Sequence, residues 1–336
     1  MTAGTTATVG VDLGGTNIRA GIVDHDGRVL AEQRGPTVTE GSWQDLVTAI
    51  AAAVEAVRAD AIATTKEVAV VTAVGVGAAG LVDRAGVVHY APNIPALRRA
   101  PLRDGLADAL DVPVVVDNDA NVAALGELRH GAARGARHAL VVTLGTGIGG
   151  GIIARGRVVR GAHGFAAEIG HFQVDPDGPR CACGAPGHWE AMASGTALGV
   201  MGRERAAAGR AAGVLALAGG DVDAITGVHV GDAAQGGDPG GVALIEEYAS
   251  RVALGLAGLA NVLDPERIVV SGGLVELGDT LFVPLRAAFA EQLEGTGYRP
   301  EIEIVGAALG DSAGMIGAAA LARETATPPE DGGASA

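Results

Sequence analysis

Lysine is almost missing from this chain of 336 residues: Lys66 is the single example, and the formal net charge is −15. Nucleic acid is held by clustered lysine and arginine, so that balance argues against a polyanion partner. Long apolar runs are also lacking. No stretch reaches about 18 residues without glycine, threonine or charge, so no membrane span is expected. The opening MTAGTTATVG has neither a basic n-region nor an apolar h-region and does not read as a signal peptide. Cysteine is confined to Cys181 and Cys183, a pair that fits a reducing cytoplasm and a metal better than a disulfide framework. Residues two apart close a disulfide only with strain. No G-x-x-x-x-G-K-[ST] occurs, and Lys66 is remote from every glycine loop, which excludes a P-loop kinase.

What is abundant is glycine, 54 residues, concentrated in a few loops. The length suits two domains. Residues 1–7 read as frayed. A short buried strand over Val9–Asp12 leads to the turn Gly14-Gly15-Thr16, then a strand over Asn17–Val23, a hairpin turn DHDG and a third strand from Val29 to Gln33. Residues 139–160 echo this with small slips: strand, LGTGIGGG loop, glycine-rich strand, Arg-Gly hairpin, strand. Two such halves, each offering a glycine–threonine loop whose N–H groups can cradle phosphate, can close on one nucleotide from both sides. The strings GVGAAG (75–80) and GTGIGG (145–150) both satisfy the dinucleotide fingerprint, but the first leads into a turn rather than a helix.

Between these repeats, Ser42 with Asp45 predicts a capped helix to about Arg58. Pro113–Val116 reads as a buried strand closed by Asp117-Asn118-Asp119, with a helix to His130. Acids at the carboxyl end of a strand sit where α/β ligands collect, although Asp119 could equally cap that helix. Further on, helices are expected over 192–210, 242–263, 279–293 and 312–321, with strands at 268–270 and 301–305. Residues 211–240 carry no strong period. The tail TATPPEDGGASA reads as disordered.

The densest chemistry lies in AEIGHFQVDPDGPRCACGAPGHWE, residues 167–190. His171, Cys181, Cys183 and His188 are four N/S groups, the number a structural zinc takes, while two buried thiols and two surface histidines are the plain alternative. The run E-x-G-H followed by C-x-C-G-x-x-G-x-W-E resembles the signature of the ROK family (repressors, open reading frames and sugar kinases). DLGGTNIR and VDNDANVAALGE resemble that family's first phosphate loop and catalytic segment. Together these cover nearly the whole chain, from Asp12 to about Leu321.

The resemblance implies an actin-like, ribonuclease H-like α/β fold with two lobes, internal duplication and a zinc-bound loop. It implies ATP-dependent phosphorylation of a hexose, glucose first, at its 6-hydroxyl, with Asp119 as base. Sugar contacts would come from Gly80, Asn93, Asn118, Asp119, Glu168, His171 and Glu190. Asp12 would hold Mg²⁺ through water. ATP would be seated by Gly14, Gly15, Thr16, Gly145, Thr146, Gly147, Gly272 and Gly273. The zinc ligands would be His171, Cys181, Cys183 and His188, the last standing where the family has a third cysteine.

The family's habit implies a cytoplasmic homodimer or homotetramer with a small domain over 1–119, joined by a helix at 310–323. A larger domain over 120–309 and a disordered tail over 324–336 complete the expected organisation. Kinases for N-acetylmannosamine, N-acetylglucosamine or fructose would share every motif. The family's repressors carry a DNA-binding helix-turn-helix ahead of the kinase-like part, and with eleven residues before Asp12 none is expected. An NAD oxidoreductase would rest on the two fingerprints alone.

Overall fold

The computed structural model describes residues 6–65 and 70–326. Lys66, the start of the N-terminal stretch (1–5) and most of the tail (327–336) lie outside the described residues. The chain divides into two compact units. The first contains residues up to Gly135, Gly151–Ala167 and the segment from Ala308; the second contains Ala136–Gly150 and Glu168–Ala307.

In the first unit, β1 (Thr6–Leu13), β2 (Asn17–Val23) and β3 (Val29–Pro36) form an antiparallel meander. β1 begins at Thr6 rather than Val9 because its first residues pair in parallel with the later strand, Thr6 opposite Val70. Helix α1 (Trp43–Thr65) follows the predicted capping box. The Ser42 N–H donates to Asp45 at 2.8 Å, and Asp45 N–H returns to the Ser42 hydroxyl at 3.3 Å. β4 (Val70–Ala78), the small hairpin β5 (Leu81–Val82) and β6 (Val88–Tyr90), α2 (Leu102–Leu110), β7 (Val114–Asn118) and α3 (Asp119–His130) complete this half. The sheet runs β3-β2-β1-β4-β7, with β4 parallel to both β1 and β7.

A second sheet repeats the plan. β8 (Ala139–Leu144), β9 (Ile148–Ala154) and β10 (Arg157–Val158) are followed by the helical run α4 (Trp189–Ala193), α5 (Gly195–Ala207), α6 (Ala212–Leu217), α7 (Gly227–Gln235) and α8 (Pro239–Leu263). Then come β11 (Arg267–Ser271), α9 (Asp279–Gln292) and β12 (Glu303–Gly306), giving the order β10-β9-β8-β11-β12. The matching order is the internal duplication of an actin-like, ribonuclease H-like fold. The single helix expected over 192–210 is two, because Ser194 caps α5 by accepting the Ala197 N–H at 3.1 Å. The periodless stretch 211–240 holds α6 and α7. No helix among the described residues is long and apolar enough to cross a membrane.

The last helix, α10 (Ala313–Ala326), packs within the first unit. It extends through residues 324–326, which the sequence suggested were disordered, where Arg129 reaches Glu324 at 2.5 Å. The unit boundary also falls later than the expected break at 119/120. Helix α3 joins the first unit because α10 lies on it backbone to backbone. A Cβ on Gly317 would come within 1.7 Å of the Val122 carbonyl, and one on Gly75 of β4 within 1.9 Å of the Ala318 carbonyl. Only glycine allows either approach.

Candidate active site and metal centre

In the first unit, Asp12 is the penultimate residue of β1 and Asp119 opens α3. Asp12 lies against the backbone of α10, since a Cβ on Gly314 would meet its carboxyl carbon at 2.9 Å. Burial, with the negative charge of Asp119 second, pushes the Asp12 carboxyl up to about 6, while Arg19 opposes the shift. Burial also raises Asp119, against a 2.8 Å hydrogen bond from the Ala120 N–H.

Asp119 is not the helix cap. Asn118 fills that role, accepting the Asn121 N–H at 3.1 Å, and its amide donates to the Gly80 carbonyl at 3.0 Å. The Asn118 amide also hydrogen-bonds the Asp119 carboxylate, which counters the upward shift caused by burial. Gly80, at φ +108, has the Tyr90 carbonyl where a side chain would begin, 2.1 Å from a Cβ position. Asp117 is buried and fully engaged, by Arg160 Nε at 2.6 Å, by Asn121 Nδ2 at 3.1 Å and by the Asn118 N–H at 2.8 Å.

The first glycine loop is braced from behind. Thr37 donates its hydroxyl to the Gly14 carbonyl at 2.7 Å and its N–H to the Thr16 carbonyl at 2.8 Å. With those carbonyls tied back, the Gly15 and Thr16 N–H groups have no protein acceptor among the described residues. Asn93 stands over this loop, its Cβ 2.8 Å from the Cβ position of Gly15. The pattern GVGAAG opens no helix; it ends β4 and turns into β5, which removes the dinucleotide reading.

In the second unit the other glycine loop is held the same way. The Gly195 N–H donates to the Gly145 carbonyl at 2.8 Å, the Thr196 hydroxyl to the Thr146 carbonyl at 2.7 Å, and the Gly145 N–H to the Gly147 carbonyl at 3.0 Å. Gly272, at φ +95, backs onto β8, with a Cβ position 2.3 Å from the Leu144 carbonyl, and Gly273 opens the short turn after it. GTGIGG likewise runs into a strand, β9.

The cysteine-rich segment folds as a knuckle. The Cys181 N–H donates to the Ala185 carbonyl and the Gly184 N–H to the Cys181 carbonyl, both at 2.9 Å, and Gly187 at φ +65 turns the chain back. His171 lies in a 3-10 turn (Ile169–His171) whose last N–H returns to the Glu168 carbonyl at 3.0 Å. The ligand atoms of His171, Cys181, Cys183 and His188 all fall within 4.8 Å of one another. Cys181 Sγ is 3.7 Å from His171 Nδ1, and Cys183 Sγ is 3.2 Å from His188 Nδ1. Bonds of about 2.0–2.3 Å in a tetrahedron demand separations of that size, so these residues fit zinc. Burial pushes the Cys181 thiol up to about 11.

Several supports of the site carry no signal in the linear pattern. Trp189, fully buried, donates Nε1 to the Arg251 carbonyl at 3.1 Å and leaves room for no side chain at Gly255, so it fixes His188 and Glu190 on either side of itself. Glu190 accepts the Ile148 N–H at 2.9 Å and the Cys181 thiol at 3.3 Å, joining the knuckle to the glycine loop. In the first unit, the buried carboxylate of Glu127 accepts the N–H groups of Ala132, Ala308 and Leu309. Each contact spans residues that no local pattern pairs.

Residues 8–325 match the ROK family, and the chain belongs to it. It is 44% identical to a glucokinase of Streptomyces coelicolor over 320 residues, 94% of this chain and 98% of that one. A glucokinase of Thermotoga maritima is 35% identical, covering 94% and 97% of the two chains. A crystal structure of a ROK family glucokinase from Streptomyces griseus, in complex with glucose and AMPPNP, is 44% identical and superposes with a TM-score of 0.81. That match covers 95% of this chain and 99% of the other.

Proposed function

We propose that this protein is a glucokinase that transfers the γ-phosphoryl group of ATP to the 6-hydroxyl of glucose, giving glucose 6-phosphate and ADP. The observation that carries the reading is the Streptomyces griseus relative, which holds glucose with an ATP analogue and aligns over nearly all of both chains. Asp119 is assigned as general base. The sugar oxygen forms its bond to phosphorus as the bond to the ADP oxygen breaks, and the hydroxyl proton passes to the Asp119 carboxylate. A base whose pKa is raised toward the working pH by burial suits that transfer.

Sugar hydroxyls are assigned to Gly80, Asn93 and Asn118 with Asp119 in the first unit, and to Glu168, His171 and Glu190 in the second. Nucleotide phosphates are assigned to the glycine loops at Gly14-Gly15-Thr16 and Gly145-Thr146-Gly147, whose carbonyls are tied back, and the nucleoside to Gly272 and Gly273. The crowding of Asp12 and Asp119 fits a divalent cation, because a bound positive charge relieves both carboxylates. Mg²⁺ there would neutralise charge on the phosphates. The four knuckle ligands would hold a structural Zn²⁺ that fixes His171 and Glu190 for sugar binding. An ATP-consuming reaction and a C-x-C pair not joined in a disulfide suit the cytoplasm. A homodimer or homotetramer is the assembly we assign.

ADP release measured over a panel of sugars tests the substrate. Glucose should give the highest kcat/KM, and N-acetylmannosamine, N-acetylglucosamine or fructose surpassing it would reassign the enzyme.

A further inference from the structure

We infer that Arg160 is a positioning residue for the catalytic segment, acting through Asp117 on Asn118 and Asp119. Asp117 is 6% exposed, and its carboxylate has three donors: Arg160 Nε at 2.6 Å, Asn121 Nδ2 at 3.1 Å and the Asn118 N–H at 2.8 Å. Of these only Arg160 brings a positive charge. The other two are the groups that shape the turn from β7 into α3, where Asn118 caps the helix and Asp119 follows it. Asn121 is buried as well, and its amide is aligned by the same carboxylate. Arg160 thus supplies the positive charge that faces the Asp117 carboxyl group in the interior and, through it, holds the base's backbone in place.

A buried carboxylate that loses its counter-ion costs several-fold more than the pair is worth, because the charge stays behind without solvent. The segment can escape that cost only by moving Asp117 toward water, and Asn118 and Asp119 are carried along by the same peptide. Displacing a catalytic group by about 1 Å can cost on the order of 10²-fold in rate. The effect should therefore appear in kcat and in sugar KM, the quantities that depend on Asp119 and Asn118. ATP KM, set by the glycine loops, should move little.

This rests on the assignment of Asp119 as base, which Asp119→Asn tests alone. Here steady-state kinetics would be measured for Arg160→Ala, Arg160→Lys and the pair Arg160→Ala with Asp117→Asn. Arg160→Ala should lose about 10²-fold in kcat with ATP KM within about twofold. Arg160→Lys keeps the charge and should retain most of the rate. Asp117→Asn in the Arg160→Ala background should recover at least tenfold of the loss, because a neutral amide needs no counter-charge yet still offers an oxygen to Asn118 and Asn121. Thermal melts confirm that each variant is folded. If Arg160→Ala does not fold, the double variant against wild type carries the test, and it should fold and turn over within about tenfold of wild type. Wild-type kcat in Arg160→Ala would overturn the proposal, as would a folded double variant no faster than the single one.

Discussion

The carboxyl groups of Asp12 and Asp119 belong to a strand end and a helix start far apart in sequence, yet the charge of one raises the pKa of the other. Burial is the larger cause, and together they take Asp12 from an ordinary carboxylate value to about 6. Folding therefore costs free energy whenever Asp12 must be ionised.

That cost can be read from stability. Because the folded pKa lies above the unfolded one, the folded state binds more protons between about pH 4 and 6, and stability falls as pH rises through that window. Asp12→Asn removes the titration. Without Mg²⁺ it should raise Tm at pH 7.5, by as much as about 3 kcal/mol in stability, at about 1.4 kcal/mol per pKa unit. The gain should shrink as pH falls from 6 to 4, and turnover should be lost. A pH-independent difference in Tm would show that Asp12 is not strained in the fold.

Asp119→Asn keeps the side chain's size but cannot accept the hydroxyl proton. Loss of a general base costs about 10²–10⁴ in rate, so kcat should collapse while glucose affinity by calorimetry changes little. A variant that retains a tenth of wild-type turnover would remove Asp119 from the role.

His188 separates this chain from the cysteine-rich pattern it resembles. Elemental analysis should find one zinc per wild-type chain. His188→Ala should lower the zinc content and raise sugar KM more than ATP KM, since three ligands alone leave an open coordination position. His188→Cys should keep both near normal. Full zinc in His188→Ala would show that the fourth ligand is another group.

Much of this was legible because it is local. The meander at 9–33 and its echo at 139–160 fix the first three strands of each sheet, and the matching topologies follow from them. The capping box at Ser42 and the clustering of His171, Cys181, Cys183 and His188 are short-range patterns too. What stayed hidden depends on distance. Helix α3 belongs with the first unit because Gly317 meets Val122, and nothing in a linear pattern pairs those residues. The same holds for Arg160 with Asp117, 43 residues apart. Asp119 could be read as the cap because its residue type favours that position, and only the geometry gives the cap to Asn118, which the sequence reading did not single out for it.

The most direct test of the account is ADP release with glucose beside 6-deoxyglucose, which keeps every other hydroxyl. Glucose should give rapid ATP turnover with a product phosphorylated at carbon 6, and 6-deoxyglucose should bind yet release ADP no faster than the sugar-free enzyme. Sustained phosphorylation of 6-deoxyglucose at the rate seen with glucose would contradict the account.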